Sequence, residues 1–319
     1  NFYLMQSSAS PVTQVVNEIM ETKSLGDNVV TTLDAGLQKV AYDALGDQKG
    51  AVIAVNPTTG EVLAMASKPS FDPNTIVEDW DDIVNNQSAA APLLNRCTQG
   101  LYAPGSTFKI VMALEYMREH PNDWQDFRFD CDGEYQDPAD ERYVVHCYGG
   151  ETHGSEDLSS AFANSCNAAF SKIGTLTDPK KLLETGDALL FNQDLPISIM
   201  SSKSRLKLAT DADPWTLMQT AIGQGDTMMS PLHEVILSAA IANGGVLVEP
   251  TLLRQVQSAD GKVVKTFGEG AKRTLMSAEE ASTLGGFMRR VVTEGTASVL
   301  RKADYEAAGK TGSAEVVKN

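Results

Sequence analysis

The chain has 319 residues, of which 42% are hydrophobic and 21% are charged, so it can bury a large core. Its 42 acidic residues against 26 basic ones give a formal net charge of −16, which argues against a nucleic-acid partner. No stretch of the sequence is long and apolar enough to cross a bilayer, and no signal peptide is visible.

The predicted elements mix helices and strands, which indicates an α/β organisation. In chain order they are a helix around residues 11–23, a helix over 33–45 opened by Thr32 or Asp34, strands 51–55 and 61–66 joined by a turn, a helix from Pro231 to about 243, strands 246–253 and 262–267 around the turn 259–261, and a helix behind the capping box 277–280 that runs to about Thr293. Residues 123–156 are polar, aromatic and glycine-containing, so we expect an irregular excursion there.

A candidate nucleophile and a candidate base occur at the start of one apolar run. Ser106 follows a Pro-Gly turn and precedes the apolar residues 108–114, and Lys109 comes three residues later. If the run is helical, the two side chains share one face, one turn apart. Burial favours the neutral amine of Lys109, which can take a proton from the serine hydroxyl. The alternative is an N-cap serine with a surface lysine; a second Ser-x-x-Lys copy, at 204–207, lies in a polar stretch.

The second motif is Ser165-Cys166-Asn167, downstream of the first. A hydroxyl and a carboxamide two residues apart can face one cleft if the segment is a turn. The serine can then relay a proton, and the asparagine can donate a hydrogen bond to a substrate carbonyl. The alternative is an ordinary loop or helix cap.

The third motif is Lys310-Thr311-Gly312-Ser313. Gly312 lets a substrate backbone approach an edge strand closely. Lys310 and the neighbouring hydroxyls can bind a carboxylate.

The order S-x-x-K, S-x-N, K-T-G resembles the transpeptidase domain of class B penicillin-binding proteins. Residues 50–74, 95–105 and 222–232 are also similar to segments of that family, and the resemblance runs from about Val30 to the last residue. It implies an α/β fold of the α+β type, the penicillin-binding and β-lactamase-like fold. That fold has an antiparallel β-sheet flanked by helices and an all-helical subdomain.

The resemblance implies two parts of the chain and a location. We expect residues 1–29 to be the remnant of the family's N-terminal non-catalytic region, and 30–319 to be a transpeptidase domain that lacks its last strands and helix. Class B proteins carry an N-terminal membrane anchor. The expected native location is therefore the extracytoplasmic face of the bacterial cell membrane.

The implied activity is peptidoglycan D,D-transpeptidation through a serine acyl-enzyme, with no cofactor for catalysis. Lys109 takes the proton of Ser106, which attacks the penultimate D-alanine carbonyl of a stem peptide. Ser165 passes a proton to the leaving amine, and Asn167 holds an amide of the acyl chain. An amine from a neighbouring stem peptide then resolves the acyl-enzyme, and β-lactams acylate the same serine.

Substrate binding is implied for Lys310, Thr311, Gly312 and Ser313, at the terminal carboxylate. The backbone N–H groups of Ser106 and Ser313 would form the oxyanion hole. The implied partners are peptidoglycan stem peptides, β-lactams, a membrane glycosyltransferase and cell-wall assembly proteins, with no nucleic acid.

The four cysteines allow three interpretations. Cys131, Cys147, His153 and Cys166 form a Cys3His set, a common composition of structural zinc sites, and their order resembles the zinc site of some class B proteins. A disulfide between Cys131 and Cys147 suits an extracytoplasmic protein, and free thiols are the third alternative. Cys97 is expected to be a buried free thiol.

Other functions remain open from the sequence. A serine β-lactamase shares the Ser-Thr-Phe-Lys pattern, but the long spacings from Ser106 to Ser165 and Lys310 resemble penicillin-binding proteins. A β-lactam sensor domain would acylate without catalysing, and a cell-wall scaffold would need no chemistry. A D,D-carboxypeptidase would use water in place of the acceptor amine.

Overall fold

The computed structural model describes residues 26–85 and 90–314. Within these ranges the helices are α1 (Ala35–Ala44), α2 (Trp80–Asn85), α3 (Lys109–Glu119), α4 (Leu158–Ala163), α5 (Asn167–Leu176), α6 (Pro179–Ala188), α7 (Pro214–Ala221), α8 (Pro231–Ala242) and α9 (Ala278–Thr293). No helix in the described ranges is both long and apolar enough to span a bilayer.

The strands of the same ranges are β1 (Asn28–Thr31), β2 (Gly50–Val55), β3 (Val62–Lys68), β4 (Phe129–Cys131), β5 (Glu134–Asp137), β6 (Asp140–His146), β7 (Gly154–Glu156), β8 (Val246–Val248), β9 (Leu253–Gln257), β10 (Val263–Thr266) and β11 (Lys272–Thr274). β9 lies between β1 and β10, and the other strands form the pairs β2–β3, β4–β7, β5–β6 and β8–β11. Every pair is antiparallel. The predicted α+β organisation with antiparallel sheet is confirmed.

Helix α3 is the centre of the main core. Its residues are buried without a break from Lys109 to Met117, so the helix has no solvent face over that length. It packs against α5, α6 and α9, while α9 also packs against α4 and α8. A lysine at the start of such a helix must give up its hydration shell, which disfavours its charge.

Several predicted elements are present with small shifts at their ends. Helix α1 opens at Asp34, whose side chain accepts from the backbone N–H of Leu37 at 2.8 Å. The capping box of α9 is complete, because Ser277 and Glu280 each accept from the other's backbone N–H. Strands β2 and β3 pair from Gly50 with Lys68 to Val55 with Val62.

Three predictions of local structure are wrong. Residues 123–156 are not irregular, since they contain the four short strands β4 to β7. The predicted strand 246–253 is broken into β8 and β9, with Pro250, which has no N–H to donate, between them. β10 then pairs with β9 across the predicted turn.

The third error concerns the K-T-G segment, which the sequence assigned to an edge strand. The structure has no strand over residues 303–314. This segment is held by α9 instead: the N–H of Gly309 donates to the Met288 carbonyl at 3.0 Å, and the Arg289 guanidinium donates to the Ala307 carbonyl at 2.8 Å. The helix predicted around residues 11–23 lies outside the described residues.

Candidate active site

Ser106 lies in a short 3-10 turn, Gly105–Phe108, that leads directly into α3. Gly105 has φ of 55°, a left-handed conformation that favours glycine, and its N–H donates to the Gly223 carbonyl at 3.0 Å. A side chain at Gly105 would overlap the backbone carbonyl of Ser313. The Pro-Gly turn of the first motif therefore lets the third motif approach the backbone beside Ser106.

Lys109 is completely buried, and its ammonium group points to the second motif. Its Nζ donates to the Ser165 carbonyl at 2.6 Å, to Asn167 Oδ1 at 2.8 Å and to Ser165 Oγ at 3.3 Å. Burial lowers the pKa of Lys109 to about 7, and nearby cysteine and Glu156 side chains oppose that shift in part. Among the described residues, no hydrogen bond joins Lys109 to the Ser106 hydroxyl.

The second motif connects α4 to α5. Ser165 has φ of 58°, which is uncommon for a residue other than glycine. Cys166 is the N-cap of α5, where its sulfur accepts from the Ala169 N–H at 3.3 Å. Asn167 is the first residue of that helix rather than part of a turn, and its Nδ2 donates to the His146 carbonyl at 3.1 Å.

The third motif contacts the Ser165 hydroxyl through Lys310. Its Nζ donates to Ser165 Oγ at 2.8 Å and to the Thr311 carbonyl at 2.9 Å. Burial, and then the charge of Lys109, lower the pKa of Lys310 to about 6. The Ser165 hydroxyl thus lies between two lysine amines whose ammonium forms are both disfavoured.

Close packing positions the remainder of the third motif. A side chain at Gly312 would come within 2.9 Å of Thr107 Cγ2 and 3.0 Å of the Pro104 carbonyl. The Thr311 hydroxyl bonds to that of Thr296 at 2.5 Å. Gly312 is therefore needed because a larger residue would collide with the turn that carries the first motif. The sequence indicated a different reason, the close approach of the substrate backbone.

All three motifs open on one cleft of about 220 Å³. Of the predicted residues, Ser106, His153, Ser165, Asn167, Thr311, Gly312 and Ser313 line it. Lys109, which is buried, and Lys310, which is partly buried, reach it through Ser165. The cleft is completed by side chains that the sequence did not single out: Tyr148, Glu151, Asn164, Ile222, Gln224 and Thr296. Of these, Ile222 and Gln224 lie in the segment 222–232 that is similar to the family, and the other four lie outside the quoted motifs and segments.

The predicted Cys3His set is also assembled, next to the second motif. The ligand atoms of Cys131, Cys147, His153 and Cys166 all lie within 4.8 Å of one another. The Sγ atoms of Cys131 and Cys166 are each 3.7 Å from that of Cys147, and Cys131 Sγ is 3.3 Å from His153 Nδ1. All four cysteines of the chain are described, buried and free, so no disulfide links Cys131 to Cys147 here.

One of these thiols differs electrostatically from the other two. A hydrogen bond from Cys166 lowers the pKa of Cys147 to about 5. The same contact and burial raise the pKa of Cys166, and burial raises that of Cys131. Cys97 lies apart from the set; it is buried, and burial raises the pKa of its thiol to about 12.

Comparison with known proteins identifies the family. Residues 50–319 match the model of the penicillin-binding protein transpeptidase domain. The chain belongs to this family. The transpeptidase domain is 30% identical over 311 residues to the peptidoglycan D,D-transpeptidase PbpA of Mycolicibacterium smegmatis, with 91% of the chain and 61% of that relative covered. It is 30% identical over 305 residues to MrdA of Acinetobacter baumannii, with 91% and 45% covered.

Solved structures agree with this assignment of the transpeptidase domain. Penicillin-binding protein A from M. tuberculosis, as its ceftriaxone acyl-enzyme, matches with a TM-score of 0.84 at 27% identity, over 95% of this chain and 70% of that one. The D,D-transpeptidase domain of a peptidoglycan glycosyltransferase from Eggerthella lenta matches with a TM-score of 0.83 at 26% identity, over 97% and 78%. The chain spans 61% and 45% of the length of the two curated relatives described above.

Proposed function

We propose that this transpeptidase domain is the catalytic part of a peptidoglycan D,D-transpeptidase that cleaves D-Ala-D-Ala stem peptides and crosslinks them. The observation that carries the proposal is the pair of lysines, one buried and one partly buried, that bond to the Ser165 hydroxyl in the cleft that contains Ser106. Family membership supplies the substrate class.

In the first step, neutral Lys109 takes the proton of Ser106, and the serine oxygen attacks the penultimate D-alanine carbonyl. The C–N bond to the terminal D-alanine breaks, and Ser165 passes a proton to the leaving amine. Lys109 or Lys310 then reprotonates the Ser165 oxygen, since both donate to it. A lysine with a pKa near 7 suits proton transfer in both directions at neutral pH.

Substrate recognition is assigned to the other motif residues. Lys310, Thr311 and Ser313 bind the terminal carboxylate, and the backbone N–H groups of Ser106 and Ser313 bind the developing oxyanion. The Oδ1 atom of Asn167 is used by Lys109, so Asn167 offers the substrate its Nδ2 group. One N–H of that group donates to the His146 carbonyl, and the second remains for the substrate.

The partners follow from the same activity. Structural neighbours have been solved as acyl-enzymes of ceftriaxone and penicillin G, so we propose β-lactams as ligands that acylate Ser106. A further neighbour belongs to a peptidoglycan synthase complex that coordinates polymerisation and crosslinking, with a TM-score of 0.78. We therefore propose a glycosyltransferase partner, cell-wall assembly proteins, and action at the extracytoplasmic face of the membrane.

The test is mass spectrometry of the protein after incubation with benzylpenicillin. A stable adduct on the peptide containing Ser106 is expected. Ser106→Ala should abolish it, and Lys109→Met should slow its formation by about three orders of magnitude. Lys207→Met, in the second Ser-x-x-Lys copy, is the matched control and should leave it unchanged. A folded protein without an adduct would contradict the proposal, and rapid release of hydrolysed penicillin would favour a β-lactamase.

We also propose that Cys131, Cys147, His153 and Cys166 hold a structural Zn²⁺ ion. Three sulfurs and one imidazole nitrogen that converge within 4.8 Å, all from buried or largely buried residues, match the donor set of structural zinc. A bound metal would link β4, the loop after β6 and the cap of α5, and so hold Ser165 and Asn167. Metal analysis should give about one zinc per chain.

Two variants test the assignment of these ligands. Cys131→Ser should lose the metal and lower the melting temperature, whereas Cys97→Ser, at a buried thiol outside the set, should keep it. A protein that contains no zinc after purification in its presence would contradict the proposal and leave free thiols or the disulfide.

A further inference from the structure

Glu156 is a buried carboxyl group that no motif explains. Its side chain is 1% exposed, at the end of β7 and before the N-cap of α4. Oε1 accepts from Asn164 Nδ2 at 2.9 Å, while the buried Oε2 has no hydrogen-bond partner among the described residues. A buried carboxyl group with only one hydrogen bond lowers the stability of the fold. We therefore ask what the hydrogen bond between Glu156 and Asn164 does.

That contact fixes the orientation of the Asn164 amide. A carboxylate can only accept hydrogen bonds, so the NH₂ end of the amide must face Glu156. The carbonyl oxygen Oδ1 is then left over, and it makes no hydrogen bond within the described part of the chain. Asn164 lines the cleft. A side chain that lines the cleft therefore has a carbonyl oxygen without a partner among the described residues, because its NH₂ end is held by Glu156.

Asn164 is adjacent to residues that are assigned to the leaving amine and the terminal carboxylate. It directly precedes Ser165, the proposed donor of a proton to the leaving amine. Its neighbour Ala163 accepts from the Thr296 N–H at 3.2 Å, and Thr296 bonds to Thr311, which is assigned to the terminal carboxylate. The incoming amine of the second step must occupy the place of the leaving amine, because the two half-reactions run in opposite directions through equivalent geometry.

We propose that Asn164 binds the incoming amine of the acyl acceptor and that Glu156 is the positioning residue that turns its carbonyl oxygen towards that amine. This inference rests on the proposed function. The amine nitrogen forms a bond to the acyl carbon, the ester bond to the Ser106 oxygen breaks, and one N–H proton ends on that oxygen through Ser165. Asn164 Oδ1 accepts a hydrogen bond from a second N–H, which directs the lone pair at the ester. Water can donate to the same oxygen, but it has no attached chain that the cleft can hold, so the hydrogen bond favours the amine.

The experiment measures how the acyl-enzyme divides between two nucleophiles. The full chain is incubated with an N-acyl-D-alanyl thioester and D-alanine, and the ratio of aminolysis to hydrolysis products is determined by chromatography with mass detection. Acylation by benzylpenicillin is measured separately. Asn164→Ala should lower the ratio about fivefold, the effect of one hydrogen bond, and should lower acylation by benzylpenicillin by a smaller factor, because the ring nitrogen of the β-lactam has no second N–H to offer.

Variants of Glu156 test whether it acts through Asn164. Glu156→Gln keeps an oxygen that can accept from the amide, so its ratio should stay within about twofold of the parent. Glu156→Leu should lower the ratio about as far as Asn164→Ala does. The double variant Glu156→Leu with Asn164→Ala should fall no further than Asn164→Ala alone, because the two residues form one unit.

Each outcome counts for or against the inference. An unchanged ratio in Asn164→Ala overturns it, and so does a parallel loss of acylation, which would mean that the residue only shapes the Ser165 turn. Additive losses in the double variant would remove Glu156 from the mechanism. A parent protein that forms no acyl-enzyme would instead refute the proposed function, and this inference with it.

Discussion

The rate of acylation should depend on pH through the charge of Lys109. Burial lowers the pKa of this amine from 10.5 to about 7. At pH 7 about half of the molecules then carry a neutral Lys109, against about one in 3,000 for a lysine with an unshifted pKa. The structure thus raises the concentration of the competent base by about three orders of magnitude.

The direction of this pH dependence follows from the role of Lys109 as the base. Only the neutral amine can accept the Ser106 proton, so the second-order rate of acylation by benzylpenicillin should rise with pH, reach half its maximum near pH 7 and level off above about 8. Rapid-quench measurements from pH 5.5 to 9.5 would record the profile. A rate that is constant from pH 6 to 9, or one that is half-maximal near 10, would refute the assignment of Lys109 as base.

Two variants identify which lysine produces the profile. Lys109→Met should lower the rate by about three orders of magnitude and remove the rising limb. Lys310→Met should leave the limb near pH 7, because Lys310 has the lower pKa and is already largely neutral where Lys109 titrates. A limb that survives in Lys109→Met would have to belong to another group.

Three further predictions concern residues around the site. Gly105→Ala places a side chain on a left-handed backbone, where it would overlap the Ser313 carbonyl. It should lower the melting temperature, and it should lower the acylation rate by about tenfold or more. Gly46→Ala is the control: its backbone is also left-handed but has open space around it, so acylation should not change. Ser277→Ala removes the capping box of α9 and should lower the free energy of unfolding by about 1 kcal/mol in urea titrations, with acylation within about twofold. Thr296→Val removes the hydroxyl that positions the threonine of the third motif and should lower acylation about fivefold without a change in melting temperature.

The elements that the sequence predicted correctly are those formed by interactions between residues close together in the chain. The capping residues Asp34, Ser230 and Ser277 act through hydrogen bonds to backbone groups three residues away, and a short window of sequence contains both partners. The hairpin of β2 and β3 has apolar strands around a turn, which is a strong signal at short range. The strands between residues 123 and 156 are three to seven residues long and largely polar, so no periodicity identified them.

The geometry of the cleft depends on contacts that no local pattern contains. Lys109 meets Ser165 across 56 residues, and Lys310 meets the same hydroxyl across 145. The motifs predicted that these residues act together, but not that Ser165 would stand between the two amines. Asn164 and Thr296 line the cleft through the packing of α4 and α9, and the sequence around them is ordinary.

The two lysines explain how one hydroxyl can both take and give a proton. Burial disfavours the charge of both amines, and the charge on Lys109 disfavours a charge on Lys310, so at neutral pH about half of the molecules carry a proton on Lys109 and few carry one on Lys310. A substrate carboxylate bound beside Lys310 would raise the pKa of that amine and draw a proton to it. Lys109, which has no such partner, would remain the neutral base for Ser106. Substrate binding would therefore separate the roles of two otherwise similar amines, with Ser165 as the bridge along which the proton moves between them.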